Sequence, residues 1–478
     1  MTEPDPDPGP APDGSIVAQR AVLVLPTTAE FDSRTYRIAS ALVARGHAVT
    51  VLARMRAGIA ATEDHPAGYR IVRVPVAAIE GLPLPAVVRQ GRIAIRRFHA
   101  WRTGTPFRPV PPLGSVPAAP SPDAPPTSQG AGDDDATVRP LGPNASLPRR
   151  VASGLLRRLS IPMTMRSQRN ASRRVAPAAD LYHGMAYMGI PIALDLGRRH
   201  GGKVVYDARD IYVDAANLAR MPRTFRWLIG RAEKGWARRA DRVITVNLPY
   251  AQVMARRWGV DLPLIVMNCA YRTTPADPRP RRLHEALGLD PATRVVLYQG
   301  GFSRDRGIEQ LIAAIPSIPD AVLVLLGYGS LQLELAAIAA DPASNGRVRI
   351  LPAVPPTELL DWVASADVVA MPIQPSTLNH RLTTPNKLFE AIAVGVPVVA
   401  SDLAGMAPTV READAGLLVD PTDPAAIAAA CRALLDEGAV AAAARRTRIL
   451  AAAHDAFNWE TQMAGLLAEY GRLTGRPW

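Results

Sequence analysis

The chain has 478 residues, 48% of them hydrophobic, and a formal net charge of +12. That length exceeds what one core organises and suits two domains plus extra segments. Its two cysteines, Cys269 and Cys431, stand far apart and outside any CxxC context, which excludes a disulfide scaffold or a cysteine zinc site and points to a reducing cytosol.

Residues 1–17 are acidic and proline-rich, without the positive n-region and apolar h-region of a signal peptide, and are expected to form a disordered tail. No uninterrupted apolar run approaches the ~20 residues that cross a bilayer. The pattern then becomes regular. A strand is expected over 21–25, a helix over 34–45 stopped by Gly46, and a strand over 48–52. Strand, helix, strand at this spacing is a βαβ unit and implies a parallel sheet. Residues 103–147 are dense in Pro, Ala, Gly, Ser and Asp, too poor in apolar surface to offset their ordering entropy, and are expected to be a disordered insertion. Order resumes near Asp180. Strands over 203–206, 242–246 and 264–267 alternate with helices over 224–239 and 251–258. A proline-rich stretch, 273–280, marks a boundary, and a second series has strands over 295–299, 322–326, 348–351, 368–371, 396–400 and 416–419. The expected domains are therefore 18–272 and 273–456, followed by an amphipathic C-terminal segment, 457–478.

The charge is uneven. Between residues 81 and 179 there are fifteen arginines and four aspartates, which account for nearly all of the excess. A basic stripe attracts nucleic acid or an anionic membrane face, and a solvated arginine-rich surface has the same composition. Nucleic acid is not expected, since the stripe lacks the aromatic interleaving of a single-strand binder. Within it, residues 149–159 place Val151, Leu155 and Leu159 on one helical face flanked by Arg149, Arg150, Arg157 and Arg158, with Pro162 as the expected end. Such a segment suits the inner face of an anionic membrane, and a short apolar face serves equally as a core contact.

The most informative stretch is 384–395. Thr384 is a good N-cap, Pro385 suits the first helical position, and Gly395 ends the helix. Lys387 and Glu390, three apart, share one face expected to be exposed. A helix start with free N–H groups and an adjacent lysine is a natural phosphate site, and Glu390, one turn further in, is placed to accept hydrogen bonds from a ribose diol. The same pair also reads as an ordinary surface ion pair. A second basic loop shifts that balance. The strand at 295–299 ends in Gly300-Gly301-Phe302-Ser303-Arg304-Asp305-Arg306-Gly307, where glycines let backbone approach a ligand and Arg306 can fork two phosphate oxygens. Ligands of parallel sheets sit at the carboxyl ends of strands, which is where both loops fall. Gly327-Tyr328-Gly329 lacks the third glycine of a dinucleotide fingerprint, so a nicotinamide dehydrogenase is disfavoured. His183 is expected at a strand's carboxyl end, able to line a cleft, although a lone histidine is more often structural.

These pieces in this order resemble a family 4 (group 1) retaining glycosyltransferase of the GT-B fold, an α/β class with two Rossmann-like domains facing across a cleft. The resemblance rests on Asp32-Ser33-Arg34 with 41–47, on 205–210, 240–246, 300–307 and 366–368, and above all on 387–401. It implies a nucleotide-sugar donor, a UDP- or GDP-sugar, held by Gly300, Gly301, Arg304, Arg306, Gly327, Lys387, Leu388 and Glu390. Arg306 and Lys387 would hold the diphosphate and Glu390 the ribose. It implies a hydroxyl acceptor, lipid-linked in a cell-envelope role, approached from Asp32, Arg34, His183 and Asp210. The C-terminal helix would cross back onto the N-terminal domain. Three positions depart from the family pattern. Leu382 replaces the first of an acidic pair, Gly301 replaces a loop arginine, and Arg209 replaces a histidine and cannot act as a base. Arg306, Lys387 and Arg209 remain as catalytic candidates. No Asp-x-Asp motif lies in either α/β series, and no metal or other cofactor is expected. The alternatives are a nucleotide-sugar epimerase on the same fold and a non-catalytic protein that binds anionic surfaces.

Overall fold

The computed structural model describes residues 17–30, 32–76, 147–276 and 278–478, with only the backbone described at 147–159, 216 and 217. Nearly all of the tail 1–17 and the insertion 103–147 lie outside the described residues.

The first sheet contains β1 (Arg20–Val24), β2 (Ala48–Arg54), β3 (Thr62–Asp64), β4 (Arg70–Val74), β5 (Leu181–Met185), β6 (Lys203–Asp207), β7 (Arg242–Thr245) and β8 (Leu264–Ile265). Their order is β3-β4-β2-β1-β5-β6-β7-β8, and every pairing is parallel except β3 with β4. Helices α1 (Ser33–Val43), α2 (Leu147–Val175), α3 (Ala186–His200), α4 (Arg223–Ala237) and α5 (Leu248–Trp258) belong to this half of the chain. The second sheet is wholly parallel, with β9 (Arg294–Gly301), β10 (Ala321–Tyr328), β11 (Val348–Leu351), β12 (Val368–Met371), β13 (Val398–Ser401) and β14 (Gly416–Val419) in the order β11-β10-β9-β12-β13-β14. Around it lie α6 (Ile308–Ala314), α7 (Leu378–Leu382) and α8 (Asn386–Val394), and the chain closes with α9 (Trp459–Thr474).

Both sheets are buried on two faces, which is why their strands read as unbroken apolar runs. In β1, Ala21 and Leu23 join one core while Val22 and Val24 join another. In β9, Val295 and Leu297 point to one side and Val296 and Tyr298 to the other. The last helix returns to the first sheet: Trp459, Met463, Leu466 and Tyr470 pack with Leu23, Ile38 and Val51. Gln462 accepts from the Met267 amide at 3.0 Å.

Two sequence expectations need correction here. Pro162 does not end its helix; α2 runs through it to Val175. A proline removes one i→i−4 hydrogen bond, and the helix continues on both sides of that loss. Thr384 does not cap α8. Pro385 occupies the N-cap position, and the Thr384 hydroxyl instead donates to the Gly405 carbonyl at 2.6 Å and accepts from Asn247 at 2.9 Å.

Candidate functional site

Strand order reverses on either side of β1 and β9, because β2 and β10 lie to one side of them and β5 and β12 to the other. A crevice opens at the carboxyl ends of strands where the order switches. The loops that leave those two ends, 25–32 and 301–307, are therefore where the fold prepares a site.

In the second sheet, β9 ends in Gly300 and Gly301, and the Tyr298 hydroxyl donates to the Gly301 carbonyl at 2.9 Å. Gly307 has φ of +81°, and a Cβ there would stand 2.0 Å from the Pro372 carbonyl, so only glycine lets the loop pass the end of β12. Gly327 faces Gly300 in register, and a Cβ on it would meet the Gly300 carbonyl at 2.0 Å. Close strand packing thus accounts for Gly327. Arg306 has no ion-pair partner among the described residues, and its charge reaches Lys387, Asp210 and His380. Arg304 is different: it is exposed and engaged by Glu309 at 3.0 Å and Glu334 at 2.7 Å. Both ion pairs are exposed to solvent, so Arg304 is engaged at the surface where Arg306 is not.

Helix α8 brings the other cation. Its first turn carries no side-chain cap, so N–H groups at its start are open to a ligand. The Lys387 ammonium lies 3.5 Å from the centroid of the Tyr298 ring and would sit 3.5 Å from a Cβ on Gly300. It therefore leans over the end of β9 toward the glycine loop. Lys387 and Glu390 are half-buried rather than exposed, which corrects the surface reading of this pair. Burial, reinforced by the Arg306 charge, pushes the Lys387 ammonium well below its ordinary pKa, with Glu390 opposing. Burial raises the Glu390 carboxyl, against the opposing pull of Arg37, Gln299 and Lys387. Leu388 is fully buried in the apolar core, so its side chain offers a ligand nothing.

On the first sheet, Asp32 caps α1 by accepting from the Thr35 amide at 2.9 Å. The same carboxylate takes both arms of Arg209, at 2.9 and 2.8 Å. Burial would raise Asp32, but Arg209 and the Thr35 bonds outweigh it and lower its pKa. Arg209 is thus a clamped cation beside the cleft. Asp210 follows it, accepting from Asn379 at 3.0 Å, and burial raises its carboxyl. Arg34 and His183 depart from expectation. Both are enclosed, 1% and 0% exposed, around Asp207: Arg34 donates to its carboxylate at 2.7 Å, and His183 Nε2 lies 3.3 Å from the same oxygen. His183 is the third residue of β5, not its carboxyl end, and its Nδ1 pairs with the Tyr470 hydroxyl of α9. These two residues build the domain and do not line the cleft.

Several polar contacts that the sequence reading missed join the two halves across the site. Asn379 on α7 accepts from the Ile211 amide at 2.9 Å and from the Tyr250 hydroxyl at 2.7 Å while donating to Asp210. Asn247 donates to the Leu382 carbonyl at 2.7 Å, and Asn268 donates to Asn386 at 2.9 Å. Isolated asparagines carry no local pattern, so nothing in the sequence marked them.

Two Rossmann-like domains whose strand ends meet across polar contacts, with the last helix returned to the first, define the GT-B glycosyltransferase fold. Solved structures agree: sucrose-phosphate synthase from Thermosynechococcus elongatus aligns with a TM-score of 0.66 over 96% of this chain and 99% of its own, at 19% identity. HepE of Anabaena in complex with UDP aligns with a TM-score of 0.59 over 95% and 100%, at 16% identity. Residues 293–437 match the family model for group 1 glycosyl transferases. Among curated relatives, a D-inositol 3-phosphate glycosyltransferase of Xylanimonas cellulosilytica is 32% identical over 50% of this chain and 58% of its own length. One from Acidothermus cellulolyticus is 29% identical over 61% and 66%. The chain thus spans less than two thirds of the length of these relatives.

Proposed function

We propose that the chain transfers a sugar from a nucleoside-diphosphate sugar to a hydroxyl acceptor with retention of anomeric configuration. The observation that carries this reading is the pairing of Arg306 and Lys387. Two cations converge on the glycine loop and an uncapped helix start, and among the described residues neither makes an ion pair of 4 Å or less. Such a pair is held at a cost until an anion arrives, and a diphosphate matches its charge. Glu390, one turn into α8, then receives the ribose hydroxyls. The curated relatives are named glycosyltransferases, which supports sugar transfer; the HepE complexes contain UDP and UDP-glucose, which favours a uridine donor first, with GDP as the next candidate.

As the donor bond breaks, negative charge grows on the departing diphosphate while the sugar becomes oxocarbenium-like. Arg306, Lys387 and the α8 start are already aimed at that charge, so they gain strength in the transition state without reorganising. The same side chains meet the charge that a divalent metal would otherwise meet. Arg209, clamped by Asp32, is the cation on the acceptor side, and as an arginine it orients and stabilises rather than removing a proton. The leaving phosphate oxygen is then the base that takes the acceptor proton on the same face. Leu382, where the family pattern has an acid, leaves the sugar hydroxyls one carboxylate fewer. A lipid-linked acceptor in envelope synthesis at the inner membrane face suits the basic segment 149–159, and WaaG, a solved structure of this fold, is involved in lipopolysaccharide biosynthesis.

The test is product analysis with a panel of UDP-, GDP- and ADP-sugars and simple hydroxyl acceptors. An α-linked donor should give an α-glycoside by NMR. A β-product would reject retention, an epimerised nucleotide sugar would favour the epimerase, and no turnover with any donor would favour the binding protein.

A further inference from the structure

Helix α4 carries a surface that the transfer reaction does not use. Its inward side is settled: Ile229, Glu233 and Ala237 are buried, and the Tyr206 hydroxyl donates to Glu233 at 2.6 Å. Glu233 is the only acidic residue of the helix, and it faces the interior. The outward side is unusual. Trp227 is 64% exposed and Leu228 55% exposed, side by side. An indole and an isobutyl group left together in water are a standing cost unless something covers them.

Cations surround that pair. Arg223 and Arg231 are exposed at four residues on either side of Trp227, one turn each way, and the Arg231 guanidinium lies 6.0 Å from the indole centroid. Exposed Arg220, Arg238 and Arg239 continue the row beyond both ends. Among the described residues, Arg238 and Arg239 donate to the backbone carbonyls of Trp258 and Gly235 and to no carboxylate. The acid nearby, Asp214, is occupied by Arg226 and Arg257 to one side. The outward row therefore keeps its charge for a partner.

We infer that the outward face of α4 docks on an anionic lipid surface, with Trp227 and Leu228 entering the headgroup region and the arginine row facing the lipid phosphates. A bilayer fits this face, because its outward side carries no acidic residue and sets an indole and an isobutyl group among exposed arginines. A fluid layer of headgroups can meet such a row without fixed geometry. Tryptophan is the side chain best suited to the interface, with an apolar body and one polar N–H. The inference stands apart from the donor site and from segment 149–159, and it holds whether or not the transferase reading does.

Flotation of the full chain tests it, with vesicles of phosphatidylcholine alone and of phosphatidylcholine mixed with phosphatidylglycerol. Wild type should float with the anionic vesicles, sink with the neutral ones, and be released by high salt. Two double variants separate the contributions: W227A/L228A removes the apolar pair, and R223Q/R231Q removes two charges while keeping side-chain length. Each should lower partitioning about tenfold, and both should melt like wild type, since the changed side chains lie outside the core. Wild-type flotation by both variants would overturn the inference. So would equal binding to neutral vesicles, or no binding to either, the last being the result expected of a surface made for a protein partner.

Discussion

Arg306→Ala should lower kcat by roughly a hundred- to a thousandfold at saturating donor, and Lys387→Ala by a similar factor. Removing one donor aimed at developing charge costs about 3–4 kcal/mol in sites of this kind. Among the described residues neither cation makes an ion pair of 4 Å or less, so on the proposed reading the loss should sit near the top of that range. The two residues act on one anion, so the double variant should fall short of the product of the single losses. Steady-state kinetics with the donor found by product analysis measure this directly. A loss below tenfold in either single variant would show that the pair is not where the leaving group's charge develops. Arg304→Ala is the internal comparison: its guanidinium is committed to Glu309 and Glu334, and its loss should leave kcat within about threefold.

The second large effect concerns stability. Asp207→Ala should destabilise the chain by about 3–5 kcal/mol, because it strands the Arg34 guanidinium, 1% exposed, without its carboxylate. Burial would raise the Asp207 carboxyl, but Arg34, His183 and Arg209 together hold it far below the usual range. A depressed carboxyl contributes stability that is complete above its unfolded value of about 3.9 and drains as pH falls toward the native one. At neutral pH the whole contribution is therefore present. Urea unfolding with near-ultraviolet dichroism reads the loss. The pair variant R34M/D207A removes both charges and should recover a large part of it, since apolar replacement of a buried ion pair is often nearly neutral. A single-variant loss under 1 kcal/mol, or a pair variant no better than the single, would contradict this reading of the cluster.

The sequence showed the strands of the second sheet well, with β11, β12 and β14 falling where the apolar runs lie, because strands buried on both faces leave a simple signal. It missed β3 and β4, a short antiparallel edge whose residues include Glu63, Asp64, Arg70 and Arg73. It also passed over α3, whose Gly189, Pro191 and Gly197 look like breakers. The structure gives the reason: a Cβ on Gly189 would stand 2.5 Å from the Val24 carbonyl, and one on Gly197 would stand 2.4 Å from Val204. Tertiary packing demanded small residues there and overrode local propensity. The donor loops were legible because each is contiguous, a glycine turn or a helix start beside a cation. The contacts that shape the rest are not contiguous. Arg209 meets Asp32 across 177 residues, and Asn379 meets Ile211 across 168. Arg34 and His183 looked like cleft residues because their neighbours in sequence are, and only the fold shows them turned inward around Asp207.

Calorimetric titration with UDP and GDP, in buffers of different ionisation enthalpy, tests whether Arg306 and Lys387 hold a nucleoside diphosphate. In the free protein burial and Arg306 hold the Lys387 pKa well below its ordinary value, and a bound diphosphate must raise it again. Between those two values the lysine is neutral when free and charged when bound, so binding should take up a proton and affinity should fall as pH rises through that window. One nucleotide site per chain is expected, with proton uptake in wild type, and in Lys387→Met a loss of both the uptake and most of the affinity. Unchanged affinity and proton stoichiometry in Lys387→Met, or no binding of either nucleotide to wild type, would contradict this expectation.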